Sequence, residues 1–119
     1  MLLPHIAAIN LECADPDVLA RFWADMLGGE VAVHTSGFCA VKVGDIYLGA
    51  VHVDNYQPPT WPSRGGSQQI HLDLAVDDLD TAEQHAIGLG ATKESHQPNE
   101  GRARVLRDPA GHPFCLRHS

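Results

Sequence analysis

The chain has 119 residues, 44% hydrophobic and 19% charged, which is one domain's worth with a modest core. Fifteen Asp and Glu against eight Lys and Arg give a net charge of −7, which opposes the counterion-release attraction behind general binding to nucleic acid or anionic lipid and excludes both as expected partners. The amino-terminal MLLPHIAAIN lacks a basic region, and Pro4 and His5 break its short apolar run; it reads as neither signal peptide nor membrane span, and a cytoplasmic location is expected.

From Ala8 to Cys13 the residues alternate, with Ile9, Leu11 and Cys13 on one face and Ala8, Asn10 and Glu12 on the other, the period of a half-buried strand. Asp15 followed by Pro16 then starts a helix, because the carboxylate accepts orphan amide bonds and proline at the first helical position loses no needed donor. Leu19, Phe22, Trp23 and Met26 recur at helical spacing, and Gly28 or Gly29 ends the helix. Strands are expected at Val31 to His34, Phe38 to Val43 and Ile46 to Val53, the last two joined by a Gly44-Asp45 turn.

The order then repeats. Leu72, Leu74 and Val76 oppose His71, Asp73 and Ala75; Asp77 or Asp78 caps a helix carrying Leu79, Ala82, Ala86 and Leu89, and Gly90 stops it. Strands near Ala91 to Glu94, Arg102 to Arg107 and Pro113 to Arg117 follow, with Asp108-Pro109-Ala110-Gly111 as the last turn. The chain therefore reads as one domain of two β-α-β-β-β modules, residues 5–53 and 70–119, joined by residues 54–69, whose prolines and glycines suit a linker or a functional lid. Cys13, Cys39 and Cys115 are odd in number and widely spaced, as reduced thiols are.

The two modules, FWADMLGG in the first half, a PPTWP segment before HLDLAVDDLD, and the closing DPAGHPFCL resemble the vicinal oxygen chelate superfamily, the glyoxalase and bleomycin-resistance fold, over essentially the whole chain. Within that superfamily the chain resembles the small glyoxalase-like proteins of bacteria. The resemblance implies an α+β fold whose curled mixed sheets form a cavity. In catalytic members, four side chains on cavity-facing strands hold a divalent metal that polarises substrate oxygens, and a glutamate moves the proton.

Carried over by position, the first ligand falls on Ala8, with His5 three residues away and thus on the opposite face of a regular strand; the second falls on Val51, with His52 beside it facing the other way. The third falls on His71 and the fourth on Cys115. Two positions are empty, so absence of a metal is the expectation; if one binds, His71 and Cys115 are its ligands and zinc or nickel the suitable ion. His34, His85, His96 and His118 show no ligand spacing, and His112 in the final turn suits a conformational role.

Asn10, Glu12 and Asp73 are expected to share the concave side with His71. Glu12, His71 and Asp73 are the candidate catalytic residues, Glu12 or Asp73 as base with His71 tuning it; Asn10, Val51, Trp61, Arg104 and Cys115 are the candidate pocket, with Tyr56 helping Trp61 form an aromatic wall. The bland alternative is mutual satisfaction of His71 and Asp73, or of Glu12 and Arg104. Three functions stay open: a lyase, isomerase or dioxygenase acting on a small oxygenated molecule, a ligand-sequestering protein like the bleomycin-resistance members, and a dimerisation or regulatory module. A homodimer is expected.

Overall fold

A computed structural model describes residues 3–60 and 70–119. The chain divides after Tyr56 into two units, each folded around its own sheet. The first runs β1 (Ala8–Cys13), α1 (Pro16–Leu27), β2 (Glu30–His34), β3 (Phe38–Val43) and β4 (Ile46–His52). The second runs β5 (Leu72–Val76), α2 (Leu79–Leu89), β6 (Thr92–Lys93), β7 (Ala103–Arg107) and β8 (Pro113–His118). Strand orders are β1-β4-β3-β2 and β5-β8-β7-β6, and in each sheet the first and last strands of the unit pair in parallel while the other pairs are antiparallel. The repeat seen in the sequence is thus a repeat of connectivity, and the fold is α+β with two four-stranded mixed sheets.

Local chemistry sets the helix boundaries. Asp15 accepts hydrogen bonds from the amides of Asp17 and Val18, Pro16 opens α1, and Gly28 closes it at φ 66°, a left-handed conformation that glycine adopts without a Cβ penalty. The buried stripe of α1 is Leu19, Ala20, Phe22, Trp23 and Ala24, packed on β3 and β4, which contribute Cys39, Val41, Leu48 and Ala50 to the core. Phe22 and Trp23 meet edge to face, with ring centroids 5.0 Å apart. Burying each of these aromatic side chains stabilises the unit by about 1.5–3 kcal/mol.

The second unit buries less of its helix. Asp78 caps α2 through the Thr81 amide, but only Leu79 and Ala86 are buried. The sheet supplies most of that core, through Leu106, Phe114 and Leu116. Beside it, ion pairs join helix to sheet, Arg104 to Asp80 and Glu83 and Lys93 to Glu83, and Lys93 also pairs with Glu100 in the turn before β7.

The β7–β8 turn is held by a buried carboxylate. Asp108, 3% exposed, accepts from the amides of Ala110 and His112 and contacts His112 Nδ1 at 2.8 Å, so His112 serves the conformation of the turn. Arg107 grips Glu94 with two nitrogens and donates to the carbonyls of Pro59 and Gly111. Residues 58 and 59, read from sequence as part of the connector, are thereby tied to the second unit; a Cβ at Gly111 would sit 2.7 Å from Pro58.

Candidate functional site

Strand pairing shows which side chains share a face, because residues directly opposite in a sheet point the same way. In the first sheet Asn10 pairs with Gly49 and Glu12 with Val51, while Phe38 lies opposite Val51 and Ala40 opposite Gly49. Asn10, Glu12, Val51 and Phe38 therefore share the face turned away from α1. The Asn10 amide lies over Gly49, where a Cβ would sit 2.1 Å from Asn10 Oδ1 and 2.9 Å from Phe38 Cε1. Both Asn10 and Glu12 are exposed, and among the described residues neither side chain has a hydrogen-bond or ion-pair partner.

The second sheet carries the denser cluster. β5 alternates with Asp73 and Ala75 exposed and Leu72, Leu74 and Val76 half-buried toward α2, and His71 precedes the strand on the Asp73 side. Asp73 lies opposite Cys115 on β8, and Arg117 is two residues further along the same face. His71 Nε2 is 3.1 Å from Asp73 Oδ1, and Arg117 Nε donates to Asp73 Oδ2 at 3.0 Å. Ligand atoms of His71, Asp73 and Cys115 all lie within 4.8 Å of one another. Burial pushes the Cys115 thiol above its ordinary value; the negative charge of Asp73 and a hydrogen bond to it add to this, and Arg117 opposes it. Cys115 is therefore held as a thiol that donates toward a carboxylate already engaged by an imidazole and a guanidinium.

Arg104 requires a correction. It pairs across the sheet with Leu116, on the α2 side and away from Asp73 and Cys115. Its partners are Asp80, Glu83 and the Glu100 carbonyl, so it does not line this face. Trp61 lies outside the described residues. Tyr56 is half-buried at the end of the first unit. His5 lies outside any strand, and His52 is held by the Ala14 carbonyl and Asp54. Arg117 escaped the sequence reading, although its spacing of two from Cys115 on one strand was the available signal.

The four-ligand metal centre implied by the resemblance does not fit these residues. Ala8 and Val51 offer no donor atom; of the four implied positions only His71 and Cys115 do, and the third donor beside them is Asp73, which also accepts from Arg117. What the face offers chemically is a carboxylate able to accept a proton, an imidazole and a guanidinium able to donate to oxygen, and a thiol.

Comparison with known proteins agrees with the topology. No curated protein matches the chain. Its structure is similar to a glyoxalase-related enzyme from Fulvimarina pelagi (TM-score 0.73, 17% identity, covering 98% of this chain and 89% of that one) and to a glyoxalase/bleomycin resistance protein/dioxygenase family enzyme from Burkholderia phytofirmans PsJN (0.71, 16%, 94% and 96%). It is also similar to the fosfomycin resistance protein FosX from Mesorhizobium loti (0.70, 18%, 100% and 94%). At these identities the likeness establishes the fold alone. The sequence itself matches the glyoxalase-like domain over residues 8–117, nearly its whole length, and the chain belongs to that family.

Proposed function

We propose that this protein binds a small, oxygen-bearing organic molecule on the polar face of its second sheet, at His71, Asp73, Cys115 and Arg117. One observation carries the reading: an exposed strand face gathers a carboxylate, an imidazole, a guanidinium and a thiol, while the opposite face of the same strands is committed to core. Arg117 and His71 donate to ligand oxygens, and Asp73 accepts from a ligand hydroxyl or takes a proton from it. Binding without turnover is the reading favoured, because two of the four implied metal positions hold Ala8 and Val51. Turnover is the second reading, favoured by the Asp73–His71 contact, in which the imidazole positions a carboxylate base. Asn10 and Glu12, exposed and without partners among the described residues, are proposed separately as ligand contacts on the face of the first sheet, with Glu12 as its candidate base. We extend the reading to a homodimer, since units this small bury limited apolar area; a monomer in light scattering at micromolar concentration would contradict that part.

Calorimetric titration against small carbonyl, diol and hydroxy-acid compounds tests the proposal. Asp73→Asn should weaken binding at the second sheet tenfold or more, about 1.4 kcal/mol, and Glu12→Gln should do the same to any binding at the first, each with the unfolding temperature nearly unchanged. Intact affinity in both variants, or lost stability with intact affinity, would show that these groups merely satisfy their neighbours.

A further inference from the structure

Pro58 and Pro59 are anchored on the face of the second sheet that carries Asp73. Arg107 pairs with Pro113 across the β7–β8 hairpin, two residues along from the Val105–Cys115 pair, so it stands on the Asp73 side and not on the α2 side taken by Leu106 and Phe114. Its acidic partner agrees: Lys93 faces Glu83 of α2, so Glu94, the next residue, points the other way and meets Arg107 through Nε and Nη2. The remaining nitrogen, Nη1, donates to the carbonyls of Pro59 at 2.9 Å and Gly111 at 2.6 Å. Pro58 in turn lies so close to Gly111 that a Cβ there would sit 2.7 Å from Pro58 Cβ. Register sets this anchor beside the cluster. His71, one residue before the Leu72–Phe114 pair, comes level with Pro113 and hence with Arg107, in a row of three strands spanning about 10 Å. Cys115 is diagonal to Arg107, a relation in which long side chains reach one another across about 7–8 Å. Val105 and Pro113 are buried although neither faces α2, whereas Asp73 and Arg117 are exposed. The face is open at its Arg117 end and enclosed toward Pro113.

We infer that Pro58 and Pro59 form the end wall of the binding face and that Arg107 positions this wall, so that ligands are selected by size at the His71 end. Resting on the reading that this face binds a small molecule, the wall narrows the ligand class. A pair of prolines offers no N–H, and the Pro59 carbonyl is bonded to Arg107, so a ligand meets ring carbons there and turns its oxygens toward Asp73 and Arg117. The fitting ligand is a short molecule with oxygens at one end and an apolar other end.

Cys115 reports on the wall without any knowledge of the ligand. Its alkylation by N-methylmaleimide and by the bulkier N-phenylmaleimide is timed by peptide mass, and each rate is divided by that of glutathione with the same reagent. Two variants release the wall. Pro58→Gly combined with Pro59→Gly leaves the Arg107–Glu94 pair intact, and Arg107→Lys keeps the charge but cannot hold a carboxylate and two carbonyls at once. Each should raise the normalised rate of the phenyl reagent at least fivefold and that of the methyl reagent less than twofold, with the buried Cys13 and Cys39 unlabelled. Should Arg107→Lys expose Cys13 or Cys39 to labelling, the proline variant decides alone. An unchanged phenyl rate in the proline variant, or equal acceleration of both reagents, would overturn the inference, because general loosening of the sheet admits both and release of a wall admits the larger one selectively. Such a failure leaves the Asp73 reading standing, because that reading is tested by organic ligands and by Asp73→Asn.

Discussion

Replacing Asp73 by Asn probes the electrostatics of the second-sheet face through its thiol. Burial comes first in raising Cys115, but the Asp73 carboxylate adds to it by charge and by hydrogen bond. The atoms involved lie within 4.8 Å. Two unit charges at that separation repel by about 1 kcal/mol in water and by roughly 3 kcal/mol at an effective dielectric constant of 20. Asp73 is 44% exposed, which favours the lower figure. Removing about 1 kcal/mol of repulsion raises the thiolate population roughly fivefold. The substitution also releases Arg117, which acts in the same direction. Iodoacetamide alkylation between pH 7 and 9, read by peptide mass, measures this directly, and the buried Cys13 and Cys39 serve as internal controls. Cys115 should react several-fold faster in the variant. An unchanged or slower rate would refute the arrangement, as would a stability loss much above the ~1 kcal/mol that exposed ion pairs are worth.

Three more expectations concern the scaffold. Asp108→Ala removes a buried acceptor from the Ala110 and His112 amides and should cost about 2–4 kcal/mol in urea unfolding; a loss under about 1 kcal/mol would contradict the turn described. Gly29→Ala should destabilise by about 1–3 kcal/mol, because its Cβ would sit 2.6 Å from the Lys42 carbonyl oxygen and backbone must move; a neutral result counts against that close approach. His52 is raised first by its bond to the Ala14 carbonyl and then by Asp54, so its contribution to stability is fully present below the ordinary histidine value of 6.5 and is lost as pH rises through the raised value. Melting temperatures measured from pH 6 to 8 should fall with a slope that His52→Gln removes, and an identical slope in the variant would discount the interaction.

The strands and helices were legible because their periods are clean. Ala8 to Cys13 and Leu72 to Val76 alternate strictly, and Asp15-Pro16, Gly28, Asp78 and Gly90 mark the helix ends by chemistry that depends only on neighbours. Arg104 went astray because a strand's two faces were assigned without its register: Leu106, two residues on, is fully buried against the α2 side and takes Arg104 with it. The contact of Pro59 with Arg107 spans 48 residues, and no local pattern announces it. The grouping of Asp73 with Cys115 and Arg117 likewise depends on parallel pairing of strands about 40 residues apart; family resemblance pointed to Cys115, and only the pairing brings in Arg117.

The central claim, that the polar face of β5 and β8 is the binding surface, is tested most directly by mapping a bound ligand. Once a titration has selected a compound, amide chemical-shift changes should concentrate at His71, Asp73, Ala75, Cys115 and Arg117 and disappear in Asp73→Asn. Saturable shifts confined to the helices, or persisting undiminished in that variant, would contradict the account.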